Sequence, residues 1–163
     1  MLVVSNTSPV SNLAIIGRLD LLRDRYGAVI VPPTVRDELA ALSHPDGKAR
    51  IEAAFREGWL KTKPLPGGIP NQSLPGALDP GETEAILLCQ HLPADKLILD
   101  DAVARIAAHK LGLKYTGLLG ELLFAKRGGR IQMVRTEIER LRAEARFFVS
   151  AEVEAVVLTE AGE

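Results

Sequence analysis

Four acidic side chains and one amide in this 163-residue chain could together bind a metal ion. Asp100 and Asp101 come directly after a short apolar run, and Glu82 lies in the first turn of a predicted helix. Glu38 borders the apolar stripe of another predicted helix, and Asn6 follows the first apolar run. Mg²⁺ takes oxygen ligands, usually one or two carboxylates with several waters. A cation held in this way can activate water and stabilise the charge that develops on a phosphodiester.

Each of these residues also has an ordinary structural interpretation. Glu82 lies three residues after Asp79 and would complete a capping box with it, which accounts for Glu82 as well as a metal does. Asp101 could equally cap the helix that follows it. Taken alone, Glu38 is more typical of a solvated helix surface, and Asn6 of a turn. The metal hypothesis therefore depends on these residues meeting at one place in the fold.

The stretch around which the chain is organised is residues 78–105, LDPGETEAILLCQHLPADKLILDDAVAR. Asp79 occupies a predicted N-cap position and Pro80 the first helical position, so a helix begins here. This helix is apolar nearly all round, which is typical of a helix buried against a sheet. The apolar run 97–99 is typical of a parallel strand buried on both faces. Ligands bind at the carboxyl ends of such strands, which is where the two aspartates lie.

Short apolar runs alternate with helical patterns along the rest of the chain. The predicted strands are residues 2–5, 28–31, 59–63, 97–99 and 114–115. The predicted helices include residues 19–26, 46–57, 102–111, 118–126, 134–145 and 150–158. Strands that alternate with helices favour right-handed crossovers and a parallel sheet, and therefore an α/β fold. At this length we expect a single domain, residues 1–163.

Prolines mark two further features of the chain. Ser8 is the predicted N-cap of the first helix, with Pro9 at the first helical position. Residues 64–77 are rich in proline and glycine. A loop of this length inside a domain is usually functional or mobile, so we expect no domain boundary there.

The composition argues against several classes of protein. The chain has 20 lysine and arginine residues against 21 aspartate and glutamate residues, so it shows no bulk basic signal for nucleic acid. Cys89 is the single cysteine, which excludes a disulfide framework and indicates a cytoplasmic protein. The first residues lack the pattern of a signal peptide, and no apolar run reaches the roughly 20 residues of a membrane span. The scattered residues His44, His91 and His109 do not favour zinc.

Seven basic residues lie in the segment 126–146: Lys126, Arg127, Arg130, Arg135, Arg140, Arg142 and Arg146. Some of them could contact the phosphates of a nucleic acid. The glutamates in the same segment favour a solvated helix face with i,i+4 ion pairs, such as Glu139 with Arg135.

Several segments together resemble a PIN-like domain from a prokaryotic branch of small PIN-type proteins, similar to the VapC toxins. The resemblance runs nearly end to end and is carried by VVSNTSPVSNLAIIGRLDLL, VIVPPTVRDEL, LDPGETEAILL, LILDDAVARIAAHKLGL and GLLGELLFAKRGGRI. It implies a three-layer α/β/α fold with a central parallel sheet of four to five strands. It also implies an acidic pocket that binds Mg²⁺ or Mn²⁺.

The resemblance also implies roles for individual residues. The implied metal ligands are Asn6, Glu38, Glu82, Asp100 and Asp101. The implied catalytic residues are Glu38, Glu82 and Asp101. We prefer Asp101 to Asp100 because a strand-end turn often directs its second residue across the edge of the sheet.

Two positions depart from the family pattern. Asn6 stands where a PIN domain normally has aspartate, and Leu118 stands where this branch tends to have threonine. An asparagine carbonyl can ligate a cation, but it brings no negative charge. We therefore expect Asn6 to lower metal affinity and to weaken or silence nuclease activity.

The resemblance implies a metal-dependent endoribonuclease, as in the toxin of a toxin–antitoxin pair. RNA is then the expected substrate, an antitoxin protein and a second copy of the chain are the expected partners, and no membrane is involved. The alternative is a PIN-like binding module with a weakened or inactive pocket, which Asn6 favours. A phosphoacceptor domain of the receiver type is a third alternative, but its acidic pair would come early in the chain, whereas Asp100 and Asp101 come late.

Overall fold

Five short parallel strands form the centre of the molecule in our computed structural model, which describes residues 1–68, 74 and 77–163. The strands are β1 (Val3–Ser5), β2 (Val29–Val31), β3 (Leu60–Thr62), β4 (Lys96–Ile98) and β5 (Tyr115–Thr116). The helices in the described residues are α1 (Thr7–Ile15), α2 (Asp20–Tyr26), α3 (Pro33–Ala40), α4 (Pro45–Glu57), α5 (Pro80–His91), α6 (Ala102–Lys110), α7 (Leu118–Arg127), α8 (Val134–Ala145) and α9 (Ala151–Glu160). Part of the predicted loop 64–77, namely 69–73 and 75–76, lies outside the described residues.

Helices cover both faces of the sheet, which gives three layers. Val3 and Val4 are adjacent in β1 and point to opposite faces, as residues in a strand must. Val3 packs in the larger core with α1, α2, α4, α7, α8 and α9. Val4 packs in a smaller core with α5 and α6. The predicted α/β/α architecture with a parallel sheet is therefore confirmed.

The order of the strands in the sheet is β3-β2-β1-β4-β5. The chain builds outward from β1 through β2 to β3, and then crosses to the other side of β1 to form β4 and β5. The register pairs Ser5 of β1 with Ile98 of β4, so the residues that follow these two strands emerge side by side. Ligands of open α/β sheets bind at such a switch point, outside the carboxyl ends of the strands.

The first helix begins earlier than the sequence predicts. Asn6, and not Ser8, is the N-cap residue of α1, with extended backbone angles (φ −78°, ψ 175°). Ser8 lies inside the first turn, where its hydroxyl accepts a hydrogen bond from Asn12 Nδ2 (3.1 Å). Pro9 is tolerated in this turn because the first backbone N–H groups of a helix have no intrahelical acceptor.

The basic segment 126–146 forms ion pairs within the protein. Arg140 lies 3.3 Å from Glu137 and 3.3 Å from Glu144, and the latter is an i,i+4 pair of the expected kind, formed by different residues from the expected Glu139 and Arg135. Arg142 pairs with Glu154.

No helix in the described ranges is long and apolar enough to cross a membrane.

Candidate acidic site at the carboxyl ends of the strands

Asn6 occupies the carboxyl end of β1, beside β4. Its backbone N–H donates to the carbonyl of Ile98 (2.9 Å), and the residue is 5% exposed. Although Asn6 is the N-cap of α1, its side chain makes no capping hydrogen bond. Its amide oxygen Oδ1 is buried and has no hydrogen-bond partner in the described part of the chain. Burying an acceptor without a donor costs free energy. We therefore expect this oxygen to bind a ligand such as a cation or a water.

Asp100 follows β4, and most of its side chain is buried. Its Oδ1 accepts a hydrogen bond from the backbone N–H of Leu118 (2.8 Å) and lies 3.5 Å from Arg105 Nη2. Its Oδ2 is buried and has no partner among the described residues. Burial raises the pKa of Asp100, the Leu118 N–H and Arg105 oppose that rise, and the charge of Glu121 adds to it. Asp100 thus presents a second buried oxygen without a donor.

Asp101 and Glu82 both cap helices, as their positions in the sequence predict. Asp101 Oδ1 accepts from the N–H of Ala104 (2.8 Å) at the start of α6. Asp79 and Glu82 form the capping box of α5, with Asp79 Oδ1 accepting from Glu82 N (2.7 Å) and Glu82 Oε2 accepting from Asp79 N (3.1 Å). Each carboxylate therefore has one oxygen engaged in these caps.

Neighbouring carboxylates nevertheless act on Glu82. Burial is the largest cause that raises the pKa of Glu82, and the Asp79 N–H opposes it. The negative charges of Asp79, Asp101 and Glu38 raise the pKa of Glu82 further. The fold therefore brings Glu38, Glu82 and Asp101 into one electrostatic neighbourhood, although 63 positions separate the first from the last.

Glu38 reaches this neighbourhood from α3. It accepts a hydrogen bond from the hydroxyl of Thr7, in the first turn of α1. Its carboxylate also lies against Gly81 in the first turn of α5, because a Cβ at position 81 would come within 2.7 and 2.8 Å of the two Glu38 oxygens. The absence of a side chain at Gly81 therefore makes room for the acid.

Glu84 is a buried acid that supports the site by capping α3, and the sequence alone did not reveal this role. It is 7% exposed, and its Oε2 accepts a hydrogen bond from the backbone N–H of Thr34 (2.9 Å) at the start of α3. A residue of α5 thus caps the helix that carries Glu38. The signal available in the sequence was a charged residue within a helix that is otherwise apolar nearly all round.

A family model, DUF3368, described as a PIN domain, matches residues 2–163. The chain belongs to this family of PIN domains. The match supports a nuclease-type function and the PIN-like resemblance of the sequence. No curated protein and no solved structure gives a significant match.

PIN domains generally use divalent metal ions, so the donor groups of this PIN domain must be compared with the needs of such an ion. In the described residues, no group of three or more His, Cys, Asp or Glu side chains lies close enough to hold a metal. Mg²⁺ needs only one or two carboxylates, because waters complete its shell. The unpartnered oxygens of Asn6 and Asp100 and the neighbouring carboxylates are all hard oxygen donors. They fit Mg²⁺ or Mn²⁺ better than a softer metal.

Proposed function

We propose that this PIN domain is a metal-dependent endoribonuclease whose site is the acidic edge described above. The family supports a nuclease-type function. The observation that carries the proposal is the pair of buried oxygens without a donor in the described residues, Asn6 Oδ1 and Asp100 Oδ2, at the carboxyl ends of neighbouring strands. The charges of Glu38 and Asp101 both raise the pKa of Glu82. Such mutual repulsion is unfavourable unless a cation compensates it.

The residues that would hold Mg²⁺ or Mn²⁺ are Asn6, Glu38, Glu82, Asp100 and Asp101. When bound, such an ion lowers the pKa of a coordinated water and offsets charge on a phosphodiester. The protein's part is to fix the donors. Thr7 orients Glu38, the Leu118 N–H orients Asp100, and the Ala104 N–H orients Asp101. Each of these three acids accepts a hydrogen bond at one oxygen, and this restricts the orientation of its other oxygen.

We also propose RNA as the substrate, a cytoplasmic location, and a place in a toxin–antitoxin pair, with an antitoxin protein and a second copy of the chain as partners. These proposals follow from the resemblance to PIN domains of the VapC type. None of these proposals assigns a role to a further residue of the acidic site.

The direct test is cleavage of a labelled, unstructured RNA in the presence of Mn²⁺. We expect cleavage that EDTA abolishes and that Glu38→Gln and Asp101→Asn each lower by more than about 100-fold, since even outer-shell partners of a metal cost about 10- to 100-fold. Neither variant should melt below the parent, because glutamine still accepts from Thr7 and asparagine still caps a helix. Glu139→Gln, an exposed charge on α8, is the matched control. Full activity in both site variants would remove the proposed site.

A second candidate function is a binding module without catalysis, and Asn6 is the observation that favours it. An amide in place of a carboxylate leaves the pocket with one negative charge fewer. The same cleavage assay, run on Asn6→Asp, separates the two functions. If Asn6→Asp cleaves RNA and the parent does not, the parent has an intact fold but lacks one negative charge that catalysis requires. Mn²⁺ that raises the melting temperature of the parent would show that the native pocket still binds metal.

A further inference from the structure

Arg105 is a basic side chain placed beside the acidic site. It lies one turn after Asp101 in α6, and its Nε donates to the carbonyl of Leu99 (3.1 Å). Its Nη2 lies 3.5 Å from Asp100 Oδ1, while 37% of the side chain remains exposed. A guanidinium has five N–H donors. The Nε and Nη2 groups of Arg105 thus already face acceptors. Its remaining N–H groups have no acceptor in the described part of the chain.

The backbone opposite Arg105 is kept free of a side chain. A Cβ at Gly117 would overlap Arg105 Nη2 and come within 2.6 Å of Asp100 Oδ1. Gly117 has φ −131°, which any residue can adopt, so the requirement here is space and not backbone conformation. The absence of a side chain at Gly117 therefore leaves the space that the guanidinium occupies.

Tyr115 adds an aromatic surface next to this guanidinium. It belongs to β5, the edge strand of the sheet beside β4, and is 38% exposed. The Cζ of Arg105 lies 5.9 Å from the centroid of the Tyr115 ring, at the outer range of a cation–π contact. A fixed cation and a partly exposed aromatic ring thus lie together at the rim of the acidic site.

We infer that Arg105 and Tyr115 bind single-stranded RNA at the rim of this site, with Arg105 on a backbone phosphate and Tyr115 stacked on an unpaired base. The inference rests on the proposed function, to which it adds two residues that position the substrate. A phosphate that approaches clustered carboxylates is repelled, and Arg105 offsets that repulsion at the point of entry. Proteins that bind single strands combine basic side chains for the backbone with aromatic rings for the bases, because every base has a face for stacking.

The choice of a single strand follows from the ring. In an A-form duplex the faces of the bases are covered by their neighbours, so Tyr115 could stack only on a splayed or unpaired base. A duplex would leave the ring without a partner. The inference therefore predicts a preference for single strands that depends on residue 115.

The test is equilibrium binding of a fluorescent single-stranded oligoribonucleotide, in EDTA and again with Ca²⁺, with the strand checked for integrity on a gel. We expect Tyr115→Leu to weaken binding by about 5- to 100-fold and Tyr115→Phe to retain it. Arg105→Gln should weaken binding and reduce the slope of log K against log salt by about 0.7. A duplex of the same sequence should bind Tyr115→Leu and the parent equally.

Two matched controls lie away from the acidic site. Phe124→Leu removes another exposed aromatic ring that also lies under an arginine, and Arg127→Gln removes an exposed charge of the same helix. Neither should weaken binding as much as the rim variants. Arg105 also holds the Leu99 carbonyl, so if Arg105→Gln melts lower than the parent, Tyr115→Leu alone decides the test.

The outcomes separate this inference from the nuclease proposal. A parent that does not bind single strands, or rim variants that bind no worse than the controls, would overturn the inference and leave a partner protein as the alternative for this edge. RNA cleavage with unaffected binding in the rim variants would overturn the inference while the nuclease proposal stands. Binding that depends on Tyr115 without any cleavage in Mn²⁺ would support the inference and count against the nuclease proposal.

Discussion

The Glu38 carboxylate keeps its place because position 81 has no side chain. A Cβ at Gly81 would lie closer to both Glu38 oxygens than real Cβ contacts allow. The atoms in the way are the end of a flexible side chain and not backbone, so the protein can accommodate alanine by moving the carboxylate. A side chain at position 81 would therefore displace a proposed site residue without destabilising the fold.

We predict that Gly81→Ala lowers RNA cleavage by about 10- to 100-fold, because an error of about 1 Å in a catalytic group has an effect of that order. The same substitution should leave the free energy of unfolding unchanged or raise it by about 0.5–1 kcal/mol, since alanine is favoured over glycine within a helix. Cleavage assays and urea unfolding measure the two effects.

The control for Gly81→Ala is Gly128→Ala. Gly128 ends α7 with φ −84°, and a Cβ there would meet its nearest heavy atom at 3.5 Å, an ordinary contact. Gly128→Ala should change neither activity nor fold. If Gly81→Ala cleaves RNA at the parental rate, the contact between Glu38 and α5 has no part in the site.

At the scale of elements, a buried carboxylate of α5 caps the start of α3. Glu84 of α5 caps the backbone N–H of Thr34, and four residues later α3 presents Glu38 to the acidic site. The negative charge also lies at the positive end of the α3 dipole. The helix that carries one proposed ligand is thus positioned by another helix of the same site.

We predict that Glu84→Ala lowers the free energy of unfolding by about 1–2 kcal/mol, because it removes a helix cap and leaves the Thr34 N–H without its acceptor. Cleavage should fall as well, since the start of α3 loses this contact with α5. Glu84→Gln keeps an acceptor oxygen and should be closer to the parent in urea unfolding. Equal stability of the alanine and glutamine variants would argue against the capping role.

The sequence predicted the elements well because each depends on local pattern. The strands β1, β2 and β4 each contain a short, buried apolar run, and the capping box of α5 lies within the four residues from Asp79 to Glu82. The boundaries shift by one or two residues, as at α1. That helix begins after Asn6, because the residue with extended backbone angles sets the start and the presence of a serine does not.

The site was only partly predictable, for a physical reason. The acids stand out by residue type, and the order of the strands explains why Asn6 and Asp100 share an edge. The contacts that hold the acids link residues far apart in the chain, such as Thr34 with Glu84, which are 50 positions apart. Gly81 and Gly117 matter only for what occupies the space beside them. No local pattern carries that information.

At the scale of the whole molecule, Glu163 ties the segment after α9 to the two helices before it. Its side chain is 5% exposed. Oε1 accepts from Lys126 Nζ (2.6 Å) and from the backbone N–H of Val134 (2.6 Å), and Oε2 accepts from the N–H of Arg135 (2.9 Å). This one carboxylate therefore caps α8 and pairs with α7, on the side of the sheet that holds the larger core.

This arrangement makes part of the molecule's stability depend on pH. Burial is the largest single effect on the pKa of Glu163 and raises it, but Lys126 and the two backbone N–H donors together outweigh burial, so the pKa lies below its ordinary value of 4.5. A carboxylate with a lowered pKa in the folded state stabilises the protein above its unfolded-state pKa. That contribution is lost as the pH falls through the folded-state value.

We predict that Glu163→Gln lowers the free energy of unfolding by about 1–2 kcal/mol at neutral pH, because a charged cap becomes a neutral one and one acceptor oxygen is lost. The difference between variant and parent should stay constant down to a pH of about 5. It should shrink as the pH falls from about 4.5 through the lower folded-state pKa, below which the parental carboxylate is protonated in both states. Urea unfolding at a series of pH values measures it. Glu160→Gln, with an exposed side chain 3.7 Å from Arg127, is the matched control and should show a much smaller difference. If the difference in the free energy of unfolding between Glu163→Gln and the parent is unchanged at low pH, Glu163 stabilises the protein through its shape and not through its charge.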